Sequence, residues 1–282
     1  RRRILLIFFI VGAAGILILG TLFKIFATTV AGSVSIGPSN SSITPDQVSE
    51  LVQLTFVNYL VTALGLFSLL IAFGIGMTVI YHDLDSGAAV AIFSKPVSRA
   101  AFAVGKVVAA VVAMVVIVGV LGVEARLMML LFRSSGIEGD LTFEVVAQVA
   151  NAVLLMLLVM ALSTWMNNIV AVIVAFVYNS VAGIVVGLHN AYQGGALGHN
   201  DFLGAALPIV YWLVPHTLVS GFARALVTRE FEILSTSGQG PSRENILASV
   251  PGASGAGDIL WWLFFVCLFS ALVYLAVRRR QV

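Results

Sequence analysis

Six long apolar runs separated by short polar stretches constrain this chain more than any other feature. A helix crossing a bilayer needs about 20 mainly apolar residues, because the hydrocarbon core is about 30 Å thick and each residue rises about 1.5 Å. Runs of that length lie near Ile4 to Phe26, Val52 to Ile80, Phe102 to Leu131, Val145 to Trp165, Ile169 to Leu188 and Ile259 to Val277. They lack the alternation of barrel strands, and lipid offers no partner to an open backbone, so each is expected to be helical. Of the 282 residues 60% are hydrophobic and 10% charged, whereas roughly a quarter of a soluble domain is charged. The chain reads as an all-α, polytopic membrane protein forming a single transmembrane domain over residues 1–282, with no nucleic-acid partner.

Basic clusters set the expected orientation. Arg1, Arg2 and Arg3 precede the first run, Arg278, Arg279 and Arg280 follow the last, and Lys95, Arg99 and Lys106 lie between the second and third. Six spans put all three clusters on one side, which the positive-inside rule makes cytoplasmic, with both termini inside. The loop AGSVSIGPSNSSITPDQVSE after the first run has no Lys or Arg and reads as external. Arg126 and Arg133 fall on the outer side, where Glu138, Asp140 and Glu144 are close enough to offset them. Opening on Arg1 rather than Met, the chain is expected to lack an upstream segment.

The stretch 189–258 is the largest extracytoplasmic segment. Its apolar middle, Phe202 to Val227, contains Pro208 and Pro215, which would break a continuous helix. One or two short re-entrant or interfacial helices are therefore expected before the last span. Single Cys267 excludes an intrachain disulfide.

Chemistry is sparse. There is no G-x-x-x-x-G-K-[ST] phosphate loop, so the chain should not bind ATP by that route. Ser254 lies in a GASG motif like that of intramembrane serine proteases, but no His follows it to act as base. His189, His199 and His216 lack metal-ligand spacing, so no metal site is assigned. Glu124 and Arg126 are expected to sit at the interface and pair with neighbours, Lys24 to snorkel, and Asn151, Asn167, Asn168 and Asn179 to hydrogen-bond across helices.

The interval 82–106 gathers most of the remaining polar residues. Asp83 and Asp85 precede SGAAVAIFS, a short helix they would cap; Pro96 stops that helix and Ser98 caps the next. As an aspartyl pair, Asp83 and Asp85 would point to different helix faces.

An acidic residue and Gly, a short helix, Lys-Pro-Val-Ser-Arg, and Gly-Lys opening a span resemble the signature of type-2, exporter-class ABC permeases. Asp85, Gly87, Lys95, Pro96, Val97, Ser98, Arg99, Gly105 and Lys106 match it, with Asp83 or Asp85 standing where a glutamate is usual. YWLVPHTLVSGF, from Tyr211, is similar to the aromatic Leu-x-Pro segment often found before the last span in that family. The resemblance implies a permease that pairs with a second copy, forming a homodimer in a bacterial cytoplasmic membrane. It implies two ABC ATPase subunits on the cytoplasmic face, which hold the ATP and Mg. No cofactor is expected in this chain, and an extracytoplasmic accessory protein is a further expected partner. The 82–106 loop would supply the coupling helix. Two other readings stay open: an ATP-independent secondary transporter or channel, and an intramembrane protease.

Overall fold

The computed structural model describes residues 2–33, 45–79, 98–131, 138–193, 195, 201–214, 216–235, 250 and 252–279. Among them it has helices and no strand. In chain order these are α1 (Arg2–Ser33), α2 (Pro45–Thr78), α3 (Arg99–Leu131), α4 (Glu138–Ser163), α5 (Asn168–Gln193), α6 (Asp201–Leu213), α7 (Phe222–Ser235) and α8 (Ala256–Arg279). Five of them, α2, α3, α4, α5 and α8, are long and apolar enough to cross a membrane. Shorter apolar stretches lie in α1, over Phe9–Leu22, and in α6, over Phe202–Leu213.

The hydrophobicity of these helices goes two ways. Half of the apolar window of α2 and of α4 is buried inside the protein, against 28% for α3 and α5 and 22% for α8. On α3, Val112, Val116, Val120, Val123 and Leu127 all stay exposed. An apolar face of that extent needs lipid rather than water around it. Hydroxyls inside these helices satisfy themselves on the preceding turn: Ser68 Oγ donates to the Leu64 carbonyl at 2.7 Å and Thr78 Oγ1 to that of Gly74 at 2.8 Å. That keeps polar atoms from facing hydrocarbon unpaired.

Helix α4 is the centre and touches α2, α3, α5, α7 and α8. Its Met156, Leu157, Val159 and Met160 are fully buried, packed with Ile71, Ile75, Met114, Val118 and Val273 from the surrounding helices. Two glycines set its separations. A Cβ on Gly76 of α2 would meet Val159 Cβ at 2.8 Å and the Met156 carbonyl oxygen at 3.0 Å, and one on Gly122 of α3 would overlap the Val145 methyls. These contacts make α2 parallel to α4 and α3 antiparallel to both.

Short α7 closes one end. Its Phe222, Leu226 and Ile233 pack on Val57 and Leu60 of α2, Met129 of α3 and Leu141 of α4. Arg229 fixes it there, bridging Glu50 of α2 at 2.7 Å and Glu232 of its own helix at 3.2 Å. The two short helices expected before the last span are thus α6 and α7. Pro208, expected to break the chain, instead lies inside α6. The residue four before it is Gly204, so the loss is the one hydrogen bond that the Gly204 carbonyl would accept. The helix ends only at Leu213, short of Pro215, where the restriction on residues before proline applies.

Candidate functional site

Of the ten residues expected to form the coupling element, Asp83, Asp85, Gly87, Lys95, Pro96 and Val97 lie outside the described residues. The other four begin α3. Ser98 caps it: its Oγ accepts the Ala101 N–H at 3.1 Å and its carbonyl the Phe102 N–H at 3.1 Å. Arg99 is the first helical residue. Gly105 faces open space. Half-buried Lys106 holds its ammonium 5.8 Å from the centre of the buried Phe102 ring, a cation–π contact.

Acidic residues are segregated along the bundle, whereas basic ones occur at both ends. Arg126 of α3 and Arg224 and Arg229 of α7 lie toward one end, while the α4–α5 turn and the last turn of α8, with Arg278 and Arg279, share the end of the bundle where α3 begins. Every Asp and Glu among the described residues sits toward the opposite end: Asp46 and Glu50 on α2, Glu124 on α3, Glu138, Asp140 and Glu144 on α4, and the rest on α6, α7 and the start of α8.

That acidic end holds a polar node. Asp258, in the first turn of α8, accepts the Tyr211 hydroxyl at 2.9 Å and lies 3.2 Å from His216 Nε2, both through Oδ1. Its Oδ2 accepts the Gly255 N–H at 2.8 Å, a reach back from the third helical residue that caps the helix and suits the dipole. Buried His216 also places Nδ1 3.1 Å from the Tyr211 carbonyl. Its two ring nitrogens thus face the Tyr211 carbonyl and the Asp258 carboxyl. Burial, and then the Asp258 carboxylate, push the Tyr211 phenol above its ordinary range, so it stays a donor. The Tyr211 ring is sandwiched between His216, at 4.0 Å, and His189, at 4.2 Å. Two of the three histidines singled out in the sequence therefore meet, but as a ring stack. His199 lies outside the described residues, and among those described no three His, Cys, Asp or Glu side chains form a metal-binding group.

Residues 216–220 are held from both sides. Asn151 of α4 receives the Leu218 N–H at 2.8 Å and donates to its carbonyl at 2.9 Å. Ser254 does the same for Val219, accepting its N–H on Oγ at 2.8 Å and donating its own N–H to the Val219 carbonyl at 2.8 Å. The serine of the GASG motif is thus a backbone clamp. Ser220 bonds Glu144, and Gln148 donates to the same carboxylate at 2.8 Å. Arg126 places its Nη1 3.5 Å from Thr142 Oγ1. Gly221, at φ 84°, turns the chain into α7. Of the four asparagines, Asn151 alone makes a long-range bond among those found; Asn167 caps α5 through Ile169 N–H at 3.0 Å, and Asn168 Oδ1 is buried without a partner.

Two cavities flank this segment. One of about 570 Å³ is lined by His189, Gln193, Tyr211, Trp212, Arg224 and Asp258 among others. The other, of about 510 Å³, runs between α2 and α4 past Gln148, Asn151 and Asn179. Sequence reasoning passed over Asp258, although its place three residues after Gly255, at the head of an apolar run, is a helix-start signal. No protein-family model matches the chain, and neither does any curated protein.

Proposed function

We propose that this chain is the membrane subunit of an ATP-driven ABC exporter complex, with six spans, both termini cytoplasmic, and a separate ATPase bound where α3 begins. The observation that carries the reading is the order Asp85, Gly87, Lys95, Pro96, Val97, Ser98, Arg99, Gly105, Lys106, which runs directly into α3. The placement of the acidic residues agrees with it: the end that holds none of them among the described residues, with Arg99, Lys106, Arg278 and Arg279, would face the cytoplasm. So does the build of α3. Capped at Ser98, its 33 residues extend about 50 Å and pack through Met114, Val118, Leu121, Ala125 and Met129 to the cluster under α7. A displacement imposed near Arg99 by closure of an ATPase dimer would pass along that helix as a rigid-body shift to the outer end. Homodimerisation and a bacterial cytoplasmic membrane belong to the same reading.

Charge reversal at Lys95 and Arg99 together tests it. Each side chain offers a charge-assisted contact to the ATPase, so the double variant should retain at most about a tenth of the bound ATPase per copy while inserting at parental levels. Unchanged association and unchanged coupling would remove the loop from the mechanism.

A further inference from the structure

The cavity of about 510 Å³ between α2 and α4 carries polar groups that no contact within the protein uses. Asn179, near the middle of α5, lines it and makes no hydrogen bond to any described residue. Unlike Asn168 Oδ1, its half-buried amide is open to the cavity rather than sealed. The half-buried Thr217 hydroxyl and Gln148 Oε1 line the same cavity, equally open and without a partner among the described residues.

Glu144 shares that wall, one turn inside the apolar stretch Leu141–Ser163. Its carboxylate accepts from Ser220 and Gln148, but no Lys or Arg among the described residues lies within ion-pair distance of it. An ionisable group at such a depth, set in a cavity and left without a counter-ion, marks a binding position. Thr62 and Ser68 of α2 line the opposite side, and each spends its hydroxyl hydrogen on the carbonyl four residues before it, at 2.8 and 2.7 Å. They face a ligand as acceptors only. The Asn151 amide is already engaged at both atoms by Leu218. An unpaired carboxylate among acceptors selects a cation that donates hydrogen bonds.

The rest of the lining decides which cation. Along α4 the wall runs from Glu144 to Leu155, about three turns, and Leu69 and Leu155 make it apolar beyond the carboxylate. That is room for a small organic molecule. A multivalent metal ion would need several ligands of its kind, and no three His, Cys, Asp or Glu side chains gather among the described residues.

We propose that this cavity binds an organic ammonium ion, with the ammonium on Glu144 and Gln148, the apolar body against Leu69 and Leu155, and Asn179 and Thr217 bonding polar groups along that body. The site stands apart from the proposed ATPase coupling and does not depend on it.

The test uses the purified chain in neutral detergent at neutral pH and fixed low salt, with tritiated tryptamine as probe in a scintillation-proximity assay and tryptophol, which carries a hydroxyl in place of the ammonium, as competitor. Tryptamine should bind about tenfold or more tightly than tryptophol. Glu144→Gln should abolish that preference, whereas Glu230→Gln, which removes an exposed carboxylate of α7 outside the cavity, should keep it. Asn179→Leu breaks no hydrogen bond of the protein and should weaken both ligands alike. Equal affinity for the two ligands, or none for either, overturns the site. So does an undiminished preference in Glu144→Gln or an equal loss in Glu230→Gln. Should Glu144→Gln fail to fold, unaltered binding of both ligands by Asn179→Leu still overturns it. Sodium ions displacing tryptamine at equal concentration would make the ligand a metal ion and overturn the organic cation.

Discussion

Asp258→Ala is expected to destabilise the protein by about 3 kcal/mol, the cost of leaving buried polar groups without their partner. The estimate follows from what the substitution strands. His216, whose side chain is 1% exposed, loses the partner of Nε2, and Tyr211 loses the acceptor for its hydroxyl; Asp258 itself is 16% exposed. The Gly255 N–H loses its cap as well. Because the node ties α6 and residues 216–220 to the start of α8, the loss should appear as a shortened half-life of the folded protein in detergent on heating, the appropriate measure where unfolding is irreversible. Asp258→Asn keeps an acceptor for the Tyr211 hydroxyl and should lose less. An Asp258→Ala variant as long-lived as the parent would mean that the node does not hold α6 and residues 216–220 to α8.

Gly76→Ala and Gly122→Ala are expected to cost about 1–3 kcal/mol each, as overpacking does in a filled core. At Gly76 the obstacle includes the Met156 carbonyl oxygen, which belongs to the backbone of α4 and cannot swing aside. At Gly122 the obstacle is Val145, a β-branched side chain with one favoured rotamer in a helix. Gly119 of α3 faces open space, so Gly119→Ala should leave stability unchanged or raise it slightly through the better helix propensity of alanine. Thermal inactivation of the three variants side by side checks the arrangement. Equal tolerance at all three positions would contradict the close approach of α2 and α3 to α4.

The helices were legible because their signal is local. Apolar length alone marks α2, α3, α4, α5 and α8, and the Ser98 cap follows from a serine after Pro96 and before an apolar run. Pro208 was misread because a proline weighs against a helix by its missing N–H, whereas α6 gives up a single bond, to Gly204. The node was not legible for a different reason. Tyr211 and Asp258 stand 47 residues apart, and Asn151 and Leu218 67; such pairings leave no period in a sequence. The 82–106 interval is the reverse case, with a clear pattern in the sequence and only Ser98, Arg99, Gly105 and Lys106 of its matched residues placed by the structure.

Mild-detergent isolation of the tagged chain from its native host, with identification of what accompanies it in near-equal amount, tests the proposed function most directly. The account predicts a Walker-type ATPase that is released when Lys95 and Arg99 are reversed in charge. Recovery of the chain alone, stable and with a substrate-linked activity of its own, would contradict it and favour an ATP-independent transporter.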